Sequence, residues 1–124
     1  SSYTKFARTA PFSDENVLYS THIYPQHYET YDMDAIAAVA EEYPVFMTEW
    51  GYTDEQDTPE HIVGTTSGYG RQMRSFLTDH PNMSWTAWCA DSVWEPRMFD
   101  TDGELLGGDA HMGEFTKEFL SETA

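Results

Sequence analysis

Two short segments dense in β-branched and aromatic residues lie on either side of a single amphipathic stretch. They are Asn16-Val17-Leu18-Tyr19-Ser20-Thr21-His22-Ile23-Tyr24 and Pro44-Val45-Phe46-Met47-Thr48. That arrangement constrains the chain more than any other feature. Both segments have strand composition. Between them, Asp32 or Asp34 stands ready to cap a helix running through Glu42, with Ile36, Val39, Ala40 and Tyr43 recurring at helical spacing. Pro25 closes the first strand and Pro44 stops the helix. Strand, helix and strand joined by short loops make a βαβ unit, whose two strands run parallel. The continuous apolar character of the second segment suits a strand covered on both faces.

The alternation continues. Glu49-Trp50-Gly51-Tyr52 follows the second strand directly, and a polar loop runs from Thr53 to Asp57. Thr58-Pro59-Glu60 reads as a helix start, with Thr58 as N-cap and Pro59 at the first helical position. Gly64, Gly68 and Gly70 weaken that helix, whose better half runs from Tyr69 through Met73, Phe76 and Leu77 to a stop at Pro81. Met83-Ser84-Trp85-Thr86-Ala87-Trp88 reads as a third strand. Cys89 to Gly108 is a long loop of a kind that usually carries function. Met112, Phe115, Phe119 and Leu120 mark one face of a last helix. The expectation is one α/β domain over residues 1–124 with a parallel sheet, in the order β-α-β-α-β-loop-α.

Charge narrows the partners. The chain has 22 acidic against 6 basic residues, a net charge of -16, and Lys5 and Lys117 are its only lysines. Such a field repels nucleic acid and anionic lipid. The acids are scattered rather than run together, which favours a salt-adapted protein over an acidic interaction protein. No apolar stretch approaches the ~20 residues of a membrane span. The first residues carry no signal-peptide pattern, an expectation compatible with either a cytoplasmic or a secreted protein. Cys89 is the only cysteine, so no internal disulfide forms. The richness in Trp and Tyr argues against disorder, and these side chains suit carbohydrate faces as well as cores.

Residues with chemical potential gather at the C-terminal ends of the three strands: His22 with Tyr24, then Glu49, then Trp88. Ligands bind at this end of parallel sheets. Each residue alone has an ordinary explanation. A histidine in a strand is most often a hydrogen-bonded structural residue. A glutamate after a strand is often a solvated or capping residue, although burying one unpaired costs several kcal/mol. A tryptophan is more often core than ligand platform.

Taken in order, these segments resemble family 5 glycoside hydrolases, the family of many endoglucanases and mannanases. Thr48-Glu49-Trp50-Gly51, preceded by Pro44-Val45-Phe46-Met47, is similar to that family's seventh-strand motif. Tyr19-Ser20-Thr21-His22-Ile23-Tyr24 resembles the sixth strand, and Ser84-Trp85-Thr86-Ala87-Trp88 the eighth. The resemblance spans residues 16 to 122 and implies the C-terminal part of a (β/α)₈ barrel, about three of its eight βα units.

It implies a retaining β-glycanase acting on a β-linked polysaccharide or oligosaccharide without a cofactor. Glu49 would be the nucleophile, Tyr24 would hold its carboxylate, and His22 would contact sugar hydroxyls or the second carboxylate. Trp88 would floor the site, with Trp50 and Trp85 also expected among the substrate-binding residues and Trp50 packing behind the nucleophile or on the rim. The family's acid/base, a glutamate preceded by asparagine, has no counterpart, because the sequence contains no Asn-Glu pair. Asp91 and Glu95 in the long loop are the acids nearest to a replacement. His22 and His27 with nearby acids match no strong metal signature. A catalytically inactive carbohydrate-binding or structural fragment is the alternative. Three strands leave a sheet with two open edges, so association with a second copy or with a missing barrel portion is expected.

The charge pattern makes a direct prediction. Salt shortens the range of carboxylate repulsion from about 30 Å at 0.01 M to about 3 Å at 1 M, so the protein should melt at a higher temperature in molar sodium chloride than in dilute buffer. A midpoint that stays level or falls as salt rises removes the salt-adaptation argument.

Overall fold

A computed structural model describes residues 3–123. Strands β1 (Tyr19–His22), β2 (Val45–Glu49) and β3 (Ser84–Trp85) form one open parallel sheet in the order β1-β2-β3. Helices α1 (Pro25–Thr30), α2 (Met33–Glu42), α3 (Arg71–Asp79) and α4 (Gly113–Thr123) connect and follow the strands. The expected α/β architecture and strand direction are therefore present.

The βαβ unit forms as its sequence dictates. Asp32 Oδ1 accepts the backbone N–H of Ala35 at 2.9 Å and caps α2. Ile36, Ala37, Val39 and Ala40 form the buried stripe of that helix. Tyr43 turns extended ahead of Pro44, as a residue before proline must. The Tyr19 N–H then bonds the Pro44 carbonyl at 3.0 Å and starts the parallel ladder.

Elsewhere the elements are shorter than expected. Asn16 to Leu18 stay outside β1, with Leu18 exposed. Helix α1 was not expected, because Pro25-Gln26-His27-Tyr28-Glu29-Thr30 has no apolar stripe; Pro25 opens it from the first helical turn. Thr58 does not cap a helix. Its hydroxyl donates to the Glu55 carbonyl at 2.7 Å, and Glu60–Ile62 makes only one 3₁₀ turn. The glycine-containing Thr66–Gly70 segment forms a wide π turn, and α3 begins only after it. β3 shrinks to two residues, but Thr86 and Trp88 still bond the Met47 and Trp50 carbonyls at 2.9 and 2.8 Å, so the chain keeps to the sheet past its regular end.

The two faces of the sheet differ. Thr21, Val45 and Met47 point into the packed layer and are buried. Trp85, paired with Met47, lies on the same side and stacks on Phe119 of α4, with ring centroids 4.8 Å apart. Trp50 joins them edge-on, at 5.7 Å from Trp85 and 6.4 Å from Phe119. The opposite face carries Ser20, Phe46 and Ser84, of which both serines are exposed. The expectation of strands covered on both faces is corrected. Small hydroxyl side chains flank Phe46 on the open side, so that face tolerates water where an apolar one would not.

Candidate active site

The site is built at the end of β1 and β2 by a slip in register. Tyr19 pairs with Val45, Ser20 with Phe46 and Thr21 with Met47, but His22 pairs with Glu49. Thr48 is left without a partner on β1. Alternation alone would send Glu49 to the side of Val45 and Met47, into the packed layer. The extra residue brings it beside His22 instead. Bulges re-aim side chains in this way at functional sites. The Ile23 N–H, bonded to the Glu49 carbonyl at 3.0 Å, locks the slipped register.

Glu49 is then held by two neighbours. The Tyr24 hydroxyl donates to Oε2 at 2.7 Å, and His22 Nδ1 lies 3.4 Å from the same oxygen. Both contacts fall on Oε2, which leaves Oε1 open among the described residues. The Glu49 side chain is 27% exposed, so the carboxylate is neither buried nor fully solvated. Burial of the Tyr24 phenol, then its hydrogen bond to Glu49 and the charge on that carboxylate, push its pKa well above the ordinary tyrosine range. Tyr24 therefore stays protonated and remains a donor.

Tyr24 is itself positioned at the start of α1. Its backbone N–H donates to His27 Nδ1 at 3.3 Å, and the His27 ring stacks on Tyr31 at 4.8 Å. An accepting Nδ1 means a neutral ring. Burial first, then the neighbouring His61, lowers the His27 pKa in agreement. Behind the site, the buried Tyr69 hydroxyl donates to the Ile23 carbonyl and fixes the end of β1. Gly51 lets β2 turn tightly: a side chain there would meet the Trp88 carbonyl and come within 2.8 Å of Pro96 Cγ and 2.9 Å of Met112 Sδ.

Three of the six expected site residues, His22, Tyr24 and Glu49, come together. Trp88 lies at the end of β3, half-buried, with its N–H on the Trp50 carbonyl and its ring edge-on to Trp94 at 6.4 Å. Trp50 and Trp85 require correction as substrate-binding residues. Trp50 has no exposed surface, and Trp85 is stacked on Phe119 within the helix-covered layer. Trp50 belongs to the aromatic core that seats α4, and the partly buried Trp85 packs against it. The packing role weighed for Trp50 is the one it fills.

The loop acids are committed locally. Asp91 Oδ1 accepts the N–H groups of Val93 and Trp94 at 2.6 and 2.9 Å, and those bonds hold its pKa below the usual range. Glu95 lies 3.3 Å from Arg97 Nε and accepts the Arg97 N–H at 3.2 Å. Both acids are thus engaged within their own loop. Among the described residues, no group of three or more His, Cys, Asp or Glu is placed to hold a metal ion.

Sequence reasoning missed two features. One is Trp94, which stands 68% exposed beside Trp88; the Asp91-Ser92 start of its turn was the available signal. The other is a brace that ties three loops together. Arg97 Nη2 bonds both oxygens of Glu55, at 2.9 and 3.2 Å, and His111 Nε2 bonds Glu55 Oε1 at 2.8 Å. It joins the segment after β2 to the long loop after β3 and to the residues before α4. Nothing in the sequence spacing of Glu55, Arg97 and His111 reveals it.

No family model matches the chain, and no curated protein sequence matches it. Solved structures do. The native form of the β-glucanase SdGluc5_26A from Saccharophagus degradans superposes with a TM-score of 0.76 and 25% identity, covering 94% of this chain. The same β-glucanase in complex with cellotetraose gives a TM-score of 0.71 and 22% identity over the same 94%. The chain spans 37% of the length of that β-glucanase. The likeness supports a glycoside-hydrolase-like fold that corresponds to part of a barrel.

The brace makes stability depend on pH. The hydrogen bond from Arg97, then that from His111, holds the Glu55 carboxyl below the usual carboxylate range. A depressed folded pKa contributes stability that is complete above the unfolded value, about 4.3 for glutamate, and is lost as pH falls through the lower folded value. Glu55→Gln should therefore melt below the native chain at pH 7, and the gap should close as the pH drops below about 4. A gap independent of pH contradicts the brace.

Proposed function

We propose that this chain is the nucleophile-bearing part of a retaining β-glycanase site, with Glu49 attacking the anomeric carbon of a β-linked glycan. The observation that carries the reading is the pair of contacts at Oε2 of Glu49, a donor from Tyr24 and His22 at its side, which leaves Oε1 open among the described residues. Such an arrangement holds the carboxylate in place and aims it. In the first half-reaction, the carboxylate oxygen would form the glycosyl ester as the bond to the leaving oxygen breaks, and the leaving oxygen takes a proton from an acid. Water then releases the sugar and restores Glu49. Tyr24, locked as a donor, would stabilise Oε2 throughout and release it partially as the ester forms. Trp88 would lie under the sugar ring, its indole giving apolar area to the face of axial C–H groups.

The similarity to a β-glucanase crystallised with cellotetraose supports a β-glucan as the glycan class. Retaining hydrolysis also needs a second carboxyl about 5–5.5 Å away. With Asp91 and Glu95 tied to their own loop, that acid would come from further barrel strands added to the open sheet.

A second reading is a carbohydrate-binding fragment that does not turn over and completes its sheet by self-association. The two open edges of the three-stranded sheet favour it. Light scattering that finds only a 14.2 kDa monomer, unchanged on dilution, removes this reading.

An aryl β-cellobioside with an activated phenolate leaving group tests the main proposal, since such a group departs without protonation. The native chain should release phenolate, and Glu49→Gln should lower the rate by several orders of magnitude while preserving the circular dichroism spectrum. A loss smaller than about tenfold rules out the nucleophile role.

A further inference from the structure

We infer that Trp94 and Trp88 together form a corner-shaped pyranose site on the long loop, in which Trp94 supplies a second aromatic wall. This inference rests on the glycan reading above and extends it to a residue outside the strand-end set. The two indoles meet at 81° with centroids 6.4 Å apart. They bound a cleft of about 260 Å³ lined by Trp88, Cys89, Ala90, Asp91 and Trp94. The cleft lies beside the end of β2, where the Trp88 N–H bonds the carbonyl of Trp50, the residue after Glu49, at 2.8 Å. The Cys89 thiol serves as a donor within the wall, to the Trp94 carbonyl.

An exposed tryptophan is usually explained by mobility or by chance, and the loop argues against both. The Asp91 carboxylate accepts the Val93 and Trp94 N–H groups, and Cys89 Sγ donates to the Trp94 carbonyl at 3.2 Å. Arg97 Nη1 donates to the Ser92 carbonyl at 3.3 Å, and Arg97 is itself anchored on Glu55. The segment is thus built from both sides, yet it holds Val93 and Trp94 at 74% and 68% exposure. A rigid loop that spends its polar groups on presenting an indole to water has already met the ordering cost of binding. The shape then selects the ligand. A flat pyranose with axial C–H groups can lay one face on one indole and its edge against the other, burying apolar area twice while its equatorial hydroxyls stay in water.

Calorimetric titration with cellotetraose tests the inference on native protein, Trp94→Ala, Trp94→Phe and Trp88→Ala, with circular dichroism to check each fold. Trp94→Ala should weaken binding by about tenfold or more, and Trp94→Phe should recover much of it. If Trp94→Ala changes affinity less than about twofold while Trp88→Ala abolishes binding, the second wall is wrong and the glycan reading stands. If the native chain itself does not bind, both fall. Binding that depends on Trp94 in a chain without turnover upholds the corner site and separates it from the nucleophile assignment.

Discussion

A parallel ladder sends successive side chains to opposite faces, and β2 obeys that rule as far as Met47. Continued for two more residues, it would place the Glu49 carboxylate among Thr21, Val45 and Met47, where an unpaired charge costs several kcal/mol. The unpaired Thr48 absorbs the conflict. It lets the apolar part of β2 remain in the packed layer while Glu49 emerges beside His22. The Tyr24 contact depends on the same slip, because Tyr24 leaves β1 just after the residue whose pairing has shifted.

Around that point the molecule is divided by function. The helix-covered side is aromatic and sulfur-rich: Trp50, Trp85 and Phe119 bind α4 to the sheet, and Met47, Met73 and Met112 fill among them without exposed surface. The loop side is ionic and aromatic, with Arg97 acting as its hub. One guanidinium touches Glu55, Glu95 and the Ser92 carbonyl, so the loop that carries Trp94 is tied to the segment that follows Glu49. In a chain this acidic, using its few cations as internal ties also offsets local carboxylate repulsion.

Much of the frame was legible in the sequence because it rests on local rules. Asp32 and Pro44 bound α2 through capping and φ restriction, and the βαβ unit follows from their spacing. The Tyr24–Glu49 pairing was legible through family resemblance rather than from periodicity. What escaped was set by tertiary context. The register slip has no sequence signal, since Thr48 and Glu49 continue a strand pattern. The resemblance implies substrate contacts for Trp50 and Trp85, but the facing of each ring is fixed by α4 packing. Helix α1 escaped because its stability comes from Pro25 and the stacked His27 and Tyr31 rather than from an apolar stripe.

The central claim is that Glu49 Oε1 is a nucleophile delivered by the slipped register. Trapping tests it most directly, because a 2-deoxy-2-fluoro-β-cellobioside with a dinitrophenolate leaving group needs no acid to form the glycosyl ester and hydrolyses slowly afterwards. Mass spectrometry after exposure to this reagent should find one fluorocellobiosyl adduct, mapped by peptide analysis to Glu49 and absent from Glu49→Gln. An unmodified chain, or an adduct on any other carboxylate, would contradict the account.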